Sequence, residues 1–145
     1  MPATYSTVFR DALIHDGSGN PPAPGDLAVA GDRIIAIGPP GSIGRGEDEV
    51  DARRLALAPG FIDAHTHDDR IVLDAPDMVP KISQGVTTVV AGNCGISLAP
   101  VMFESDPPPP MNLLGGREAY EFPCFSAYAA AIRKAAPAVN VAALV

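Results

Sequence analysis

The segment Phe61-Ile62-Asp63-Ala64-His65-Thr66-His67 starts with apolar residues and ends with polar ones. This pattern predicts a short strand whose last residues reach the end of a sheet. Two further runs, Val86–Ala91 and Val139–Val145, are mostly apolar or β-branched and predict buried parallel strands. The three runs therefore indicate a parallel sheet in this part of the chain.

Two helices are predicted between these strands. Asp77–Gln84 is a plausible helix that ends at Gly85, and Ser126 is placed to cap a helix from Ala127 to Ala136. Strands that alternate with helices are typical of an α/β protein with parallel pairing. A (β/α)8 TIM-type barrel needs about 250 residues, so we expect the start of such a barrel and an N-terminal fragment of a longer protein.

Residues 1–59 have a different pattern, with short β-type runs separated by turn residues. Gly31-Asp32 is a two-residue link of the kind that joins the strands of a β-hairpin. We expect part of a small antiparallel sheet here, and therefore two domains, 1–59 and 60–145. The candidate strands are Thr7–Ile14, Asp26–Ala30, Arg33–Ile37 and the weaker Val50–Leu57.

The composition limits the possible partners. Ten Lys and Arg residues against seventeen Asp and Glu residues give a net charge of −7 in a chain of 145 residues. That balance argues against a nucleic-acid groove or an anionic membrane surface, because both require clustered basic residues. The sequence shows neither a secretion signal nor an apolar run of the roughly 18 residues that a membrane span needs. We therefore expect a soluble, cytoplasmic protein without nucleic-acid or membrane partners.

The strongest chemical signal is a candidate metal site. Alternate side chains of a strand share a face, so His65 and His67 can bind one divalent ion together. Cys94 follows the strand Val86–Ala91, and neighbouring parallel strands would bring it beside the histidine pair. A thiolate favours zinc over magnesium or calcium. The less specific alternatives are polar residues at a strand end and a buried free cysteine.

Acidic residues flank the histidines. Asp63 and Asp69, and also Asp68, could orient a ligand imidazole through its second ring nitrogen. The alternative, that these are solvated loop carboxylates, is equally compatible with the sequence. His15, Arg117 and Cys124 lack a comparable setting, and we interpret them as residues outside the site.

These motifs resemble a known family. Residues 58–69 resemble the first-strand signature of the metal-dependent amidohydrolase superfamily. Residues 87–100, which include Gly92-Asn93-Cys94-Gly95, are similar to the N-acyl-D-amino-acid deacylases, also called D-aminoacylases. The resemblance extends over essentially the whole chain.

The resemblance implies a (β/α)8 barrel with a small β-sandwich domain and Zn²⁺ bound by His65, His67 and Cys94. It also makes Asn93, beside Cys94, a candidate for contact with ligands or substrate. The implied reaction is hydrolysis of an N-acyl-D-amino acid to a carboxylate and a free D-amino acid. The family's two later histidines and its catalytic aspartate have no counterpart in these 145 residues. We therefore expect no catalytic residue within this chain and no activity of the chain alone.

Two alternative functions remain open at this point. One is a cyclic amidase related to dihydroorotase or hydantoinase, although Cys94 argues against it. The other is a non-catalytic truncated remnant that binds metal weakly or only mediates association.

Overall fold

The computed structural model describes residues 5–145, and its chain divides into two compact units between Pro59 and Gly60. The first unit, up to Pro59, is a five-stranded sheet in which the order is β3-β2-β1-β4 and β5 pairs with β1. The predicted hairpin is confirmed, because β2 and β3 pair antiparallel and Ala30 lies opposite Arg33 across the turn. The strands are β1 (Tyr5–Ile14), β2 (Ala23–Ala30), β3 (Arg33–Gly38), β4 (Gly46–Asp51) and β5 (Ala56–Leu57).

Two predictions about this sheet are wrong. It is mixed rather than antiparallel, because β4 and β5 both pair parallel to β1. The single predicted strand Val50–Leu57 is interrupted after Asp51, where the Asp51 carboxylate accepts a hydrogen bond of 3.1 Å from the Arg53 N–H. Such a local bond stabilises a turn, and Arg54 adopts a left-handed φ of 66° in it.

The first unit buries a carboxylate beside its apolar core. The Asp26 side chain is fully buried and accepts hydrogen bonds from the Arg10 guanidinium at 2.9 Å, the Asp11 N–H at 3.0 Å and the Gly41 N–H at 2.9 Å. All three donors belong to this unit. The buried apolar residues of the core are Ala12, Ile14, Leu27 and Ala52.

The second unit, from Gly60 to Val145, contains a three-stranded parallel sheet in the order β6-β7-β8. Helices occupy both connections, so strands and helices alternate as the α/β pattern predicts. The elements are β6 (Phe61–Thr66), α1 (Ile71–Asp74), α2 (Val79–Ile82), β7 (Val86–Ala91), two 3₁₀ turns (Met111–Leu114 and Arg117–Ala119), α3 (Phe125–Ala135) and β8 (Asn140–Ala143).

The helix bounds differ from those predicted. The helix expected at Asp77–Gln84 is only the four residues of α2, because Met78 before it has a left-handed φ of 48°. The short helix α1 was not predicted. The last helix begins at Phe125 rather than Ala127, and Ser126 lies inside it, so Ser126 is not its cap. The last strand is shorter than predicted, since β8 comprises only Asn140–Ala143, and the prediction that it is buried is wrong, because its residues are exposed or half-buried.

Two apolar clusters hold the second unit together. One packs α1 and α2 against β7 through Val72, Met78 and Val89. The other lies around the fully buried Tyr128 of α3 and includes residues of the long connection after β7. Among residues 5–145, no helix has the length and apolarity that a membrane crossing requires.

Candidate metal centre

The candidate site lies where β6 and β7 end. The two strands are parallel neighbours, so their carboxyl ends meet at one edge of the sheet. His65 lies in β6, His67 follows β6 directly, and Cys94 lies in the loop after β7. One ligand atom from each of the three residues lies within 4.8 Å of the others. The structure thus brings together the three residues that the sequence singles out.

The distances suit a shared ion. The Cys94 Sγ lies 3.3 Å from His67 Nε2, and the ring centroids of His65 and His67 are 5.9 Å apart. A tetrahedral zinc ion with Zn–N bonds of about 2.0–2.1 Å and a Zn–S bond of about 2.3 Å separates its N and S ligands by roughly 3.6 Å. His65 and Cys94 are exposed, and His67 is half-buried. The three donors are therefore close together and accessible to an ion.

The loop that carries Cys94 is fixed by two close contacts. Gly92 has a φ of +78°, and a Cβ atom there would lie 2.4 Å from the Leu144 carbonyl oxygen, so the loop passes β8 too closely for any side chain. The Asn93 amide Nδ2 donates a hydrogen bond of 2.5 Å to the carbonyl oxygen of Ala64. Asn93 thus ties the cysteine loop to the residue before His65.

Lys81, which belongs to no sequence motif, lies beside the segment 63–68 that carries the two histidines, hereafter the histidine segment. The Lys81 Nζ is 2.6 Å from Asp63 Oδ2 and 3.2 Å from Thr66 Oγ1, and it forms an ion pair of 2.9 Å with Asp68 Oδ2. The Lys81 ammonium holds the pKa of Asp63 below its usual range. Partial burial alone would lower the pKa of Lys81, but the two carboxylates raise it. No local motif marks this contact, because Lys81 comes from the connection between β6 and β7.

Asp69 is fully buried, which excludes the alternative that it is a solvated loop residue. Neither of its carboxylate oxygens has a hydrogen-bond partner within residues 5–145. Burial raises the pKa of Asp69 to about 6, partly offset by its own N–H, by His67 and by the Gly92 N–H. Its backbone oxygen is held by the Tyr128 hydroxyl at 2.7 Å. A buried carboxylate with N–H groups nearby but none in hydrogen-bonding geometry, two residues after His67, marks this end of β6 as chemically unusual.

The structure places three other residues outside the candidate site, as expected: His15, Arg117 and Cys124. His15 is exposed and belongs to the first unit. The Arg117 guanidinium donates to the Glu104 carbonyl oxygen at 2.9 Å and so ties together the long connection after β7. Cys124 is exposed and lies 3.2 Å from the Ser126 hydroxyl at the start of α3. That contact, with backbone hydrogen bonds, lowers the pKa of Cys124.

Comparison with known proteins now identifies the family. The model of the amidohydrolase family matches residues 48–144, and the chain therefore belongs to this family. Two relatives from Alcaligenes xylosoxydans xylosoxydans are similar along nearly the whole chain. An N-acyl-D-aspartate deacylase is 49% identical over 144 residues, which are 99% of this chain and 28% of the relative. A D-aminoacylase is 52% identical over 141 residues, which are 97% of this chain and 29% of the relative.

Solved structures agree with these sequence matches. A crystal structure of D-aminoacylase superposes with a TM-score of 0.91 at 45% identity and covers 97% of this chain. The N-acyl-D-glutamate deacylase from Bordetella bronchiseptica, complexed with zinc and a phosphonate inhibitor, superposes with a TM-score of 0.89 at 42% identity and covers 98% of this chain. This chain spans 29% of the length of each of these two structures.

Proposed function

We propose that this chain supplies part of the metal centre of a zinc-dependent hydrolase that cleaves the linear amide of N-acyl-D-amino acids. The products are a carboxylate and a free D-amino acid. The observation that carries the proposal is the convergence of His65, His67 and Cys94 within 4.8 Å at the ends of adjacent parallel strands. The deacylase names of relatives about half identical to this chain support the substrate class.

The residues present fit zinc. Two imidazoles and one thiolate are ligands that zinc prefers, whereas magnesium and calcium prefer oxygen. When bound in such sites, zinc lowers the pKa of water and polarises the carbonyl group of a substrate. His65 and His67 would hold the ion through ring nitrogens, and Cys94 through its sulfur. The exposure of His65 and Cys94 leaves one side of the site open for further ligands and for substrate.

Neighbouring residues would keep these ligands in place. Asn93 holds the cysteine loop against β6 through Ala64. Asp63 accepts from the His65 N–H at 3.4 Å, and Asp69 offers an unpaired carboxylate close to His67. We assign orientation of ligands or substrate to these three side chains and assign the general base to no residue of this chain.

The same comparisons support a proposed architecture. Residues 60–145 would form the first strands and helices of a (β/α)8 barrel, and residues 1–59 part of a small β-sandwich domain. The parallel order β6-β7-β8 and the superposition on D-aminoacylase support this assignment. The ligands would then lie at the carboxyl ends of the barrel strands, where enzymes of this fold place their active sites.

Zinc binding provides the direct test. The chain is stripped of metal, titrated with zinc against a chromophoric chelator, and its metal content is measured by mass spectrometry. We expect Cys94→Ala to raise the zinc Kd more than about 100-fold, because loss of a ligand should exceed the 10–100-fold effect of outer contacts. Cys124→Ala removes the only other cysteine and should leave the Kd unchanged. Equal affinities of the two variants would refute the metal site.

The reaction is tested on the product of the whole reading frame that encodes this sequence. We expect zinc-dependent release of D-amino acids from N-acetyl-D-amino acids. Turnover of a cyclic imide in place of the linear amide would favour the cyclic amidase. Zinc binding without either turnover would favour the non-catalytic remnant.

A further inference from the structure

The contacts of Lys81 alternate along the chain with the two histidines. Its ammonium group contacts Asp63, Thr66 and Asp68, so one contacted residue precedes His65, one lies between the histidines, and one follows His67. The Lys81 side chain, which comes from α2, therefore contacts the histidine segment at both ends and in its middle. Lys81 is not one of the three candidate zinc ligands, and the proposed reaction assigns it no role.

The contacts of Lys81 lie beside an irregular part of the pairing between β6 and β7. β6 pairs with β7 at Asp63 and again at Thr66, but the register shifts between these two positions. The irregular stretch contains His65. An irregular ladder leaves the direction of its side chains less constrained, so contacts of side chains must supply part of the restraint.

One of the contacts leads directly to a ligand. Lys81 binds the Oδ2 oxygen of Asp63 at 2.6 Å, and the Oδ1 oxygen of the same carboxylate accepts from the His65 N–H at 3.4 Å. Lys81 thus fixes the carboxylate that holds the His65 backbone. The side chains of Lys81 and Asp68 are only 22% and 15% exposed, so solvent screens this ion pair less than a surface pair.

The backbone of Lys81 lies close to buried residues. Lys81 lies in α2, three residues after Met78, which precedes the helix and is fully buried in the apolar cluster with Val72 and Val89. The single positive charge of the ammonium also offsets part of the repulsion between the Asp63 and Asp68 carboxylates. Lys81 therefore joins α2 to the irregularly paired end of β6.

We propose that Lys81 is the positioning residue that orients His65 and His67 for metal binding, an inference that rests on the proposed zinc site. The lysine does not bind the ion, so its loss should loosen the ligands without removing one. Lost outer contacts of this kind cost about 10–100-fold in metal affinity. We expect Lys81→Met to raise the zinc Kd by that factor.

The experiment compares zinc affinities of the metal-free chain by chelator competition. Lys134→Met, which removes the only other lysine, is exposed in α3 and serves as the matched control, with an expected change below about twofold. Lys81→Arg keeps the charge and both carboxylate contacts within reach and should restore most of the affinity. Cobalt(II) in place of zinc reports ligand geometry, and we expect the thiolate absorption band to weaken or shift in Lys81→Met only.

The outcomes separate positioning from general stability. Far-UV circular dichroism of the metal-free variants reports folding before metal is added. If Lys81→Met does not match the wild type, Lys81→Ala replaces it, since alanine favours the helix and removes all three contacts. An unchanged zinc Kd in the folded neutral variant overturns the role of Lys81 while leaving the zinc site intact. Absence of zinc binding by the wild-type chain itself overturns both proposals.

Discussion

Each unit contains a fully buried Asp side chain, and the two carboxylates differ in their hydrogen bonds. Asp26 in the first unit receives three hydrogen bonds from groups of the same unit. Asp69 in the second unit has no hydrogen-bond partner for its carboxylate oxygens within residues 5–145. Burial alone would raise the pKa of Asp26, yet its donors hold that pKa below its usual range, whereas burial raises the pKa of Asp69 to about 6.

The difference separates a structural carboxylate from one at a candidate site. Buried polar groups are normally satisfied, and an exception calls for a functional explanation. The first unit completes its own polar network. The second unit leaves Asp69 unpaired beside His67 and exposes His65 and Cys94 at the same strand ends. An unpaired buried carboxylate beside exposed side chains that can bind metal is consistent with the proposed site at this edge of the sheet.

The largest effect is expected for a substitution of Asp26, the carboxylate that accepts three hydrogen bonds. Asp26→Asn removes the charge that Arg10 and two backbone N–H groups stabilise. We expect a loss of about 3 kcal/mol in the free energy of unfolding, because three donors lose a buried charged acceptor, although Glu49 still pairs with the Arg10 guanidinium at 2.6 Å. Hydrogen exchange of the β1 and β2 amides at pH 7 measures this loss. Asp48→Asn, at an exposed position of β4, is the control and should change exchange little.

The same pair predicts a pH dependence. The pKa of Asp26 is lower in the folded than in the unfolded chain, so its stabilisation is present above the unfolded value of about 3.9. It is lost as the pH falls through the lower folded value. The stability difference between wild type and Asp26→Asn should therefore be full at pH 7 and shrink below about pH 4. A difference that is constant over this range would contradict the assigned cause.

The next effect concerns the backbone of the candidate site. Gly92 and Gly95 both have a φ of +78°, but only Gly92 leaves no room for a Cβ atom. Gly95→Ala should cost about 1 kcal/mol for the left-handed conformation, and Gly92→Ala at least about 2 kcal/mol because the contact with the Leu144 carbonyl oxygen must also open. Hydrogen exchange in β7 and β8 measures both costs, and zinc titration shows whether Cys94 has moved. Equal costs would mean that the close approach to β8 is unimportant.

Much of the second unit could be predicted from sequence because its signals are local. The apolar start of β6 and the β-branched run Val86–Ala91 indicate strands, and parallel strands with helical connections follow from their order. Burial was less well predicted, because Phe61 and Ile62 are each 66% exposed. The gathering of His65, His67 and Cys94 followed from strand direction alone, because parallel neighbours end at one edge. Periodicity and topology were sufficient for these features.

What the sequence did not reveal depends on contacts between distant residues. Lys81 reaches Asp63 across the β6–β7 connection, and nothing in its neighbours indicates that partner. The parallel pairing of β4 with β1 was missed because strand direction depends on how the chain crosses the sheet rather than on composition. The burial of Asp69 is a third case, since a carboxylate after a strand is ordinarily solvated and only the packing of Tyr128 over it shows otherwise.

The smallest effect is expected for a substitution of Asp69, whose carboxylate has no hydrogen-bond partner within residues 5–145. Asp69→Asn keeps the size of the side chain and breaks no hydrogen bond of the carboxylate, so the metal-free chain should lose less than about 1 kcal/mol of stability. Hydrogen exchange of the β7 and α3 amides, measured beside the Asp26→Asn variant, gives the comparison directly. A loss above about 2 kcal/mol would show that a donor pairs with Asp69, and the two buried carboxylates would then be alike. Near-equality with the wild type would mean that this carboxylate contributes nothing to folding, which leaves the site beside His67 as the reason for its burial.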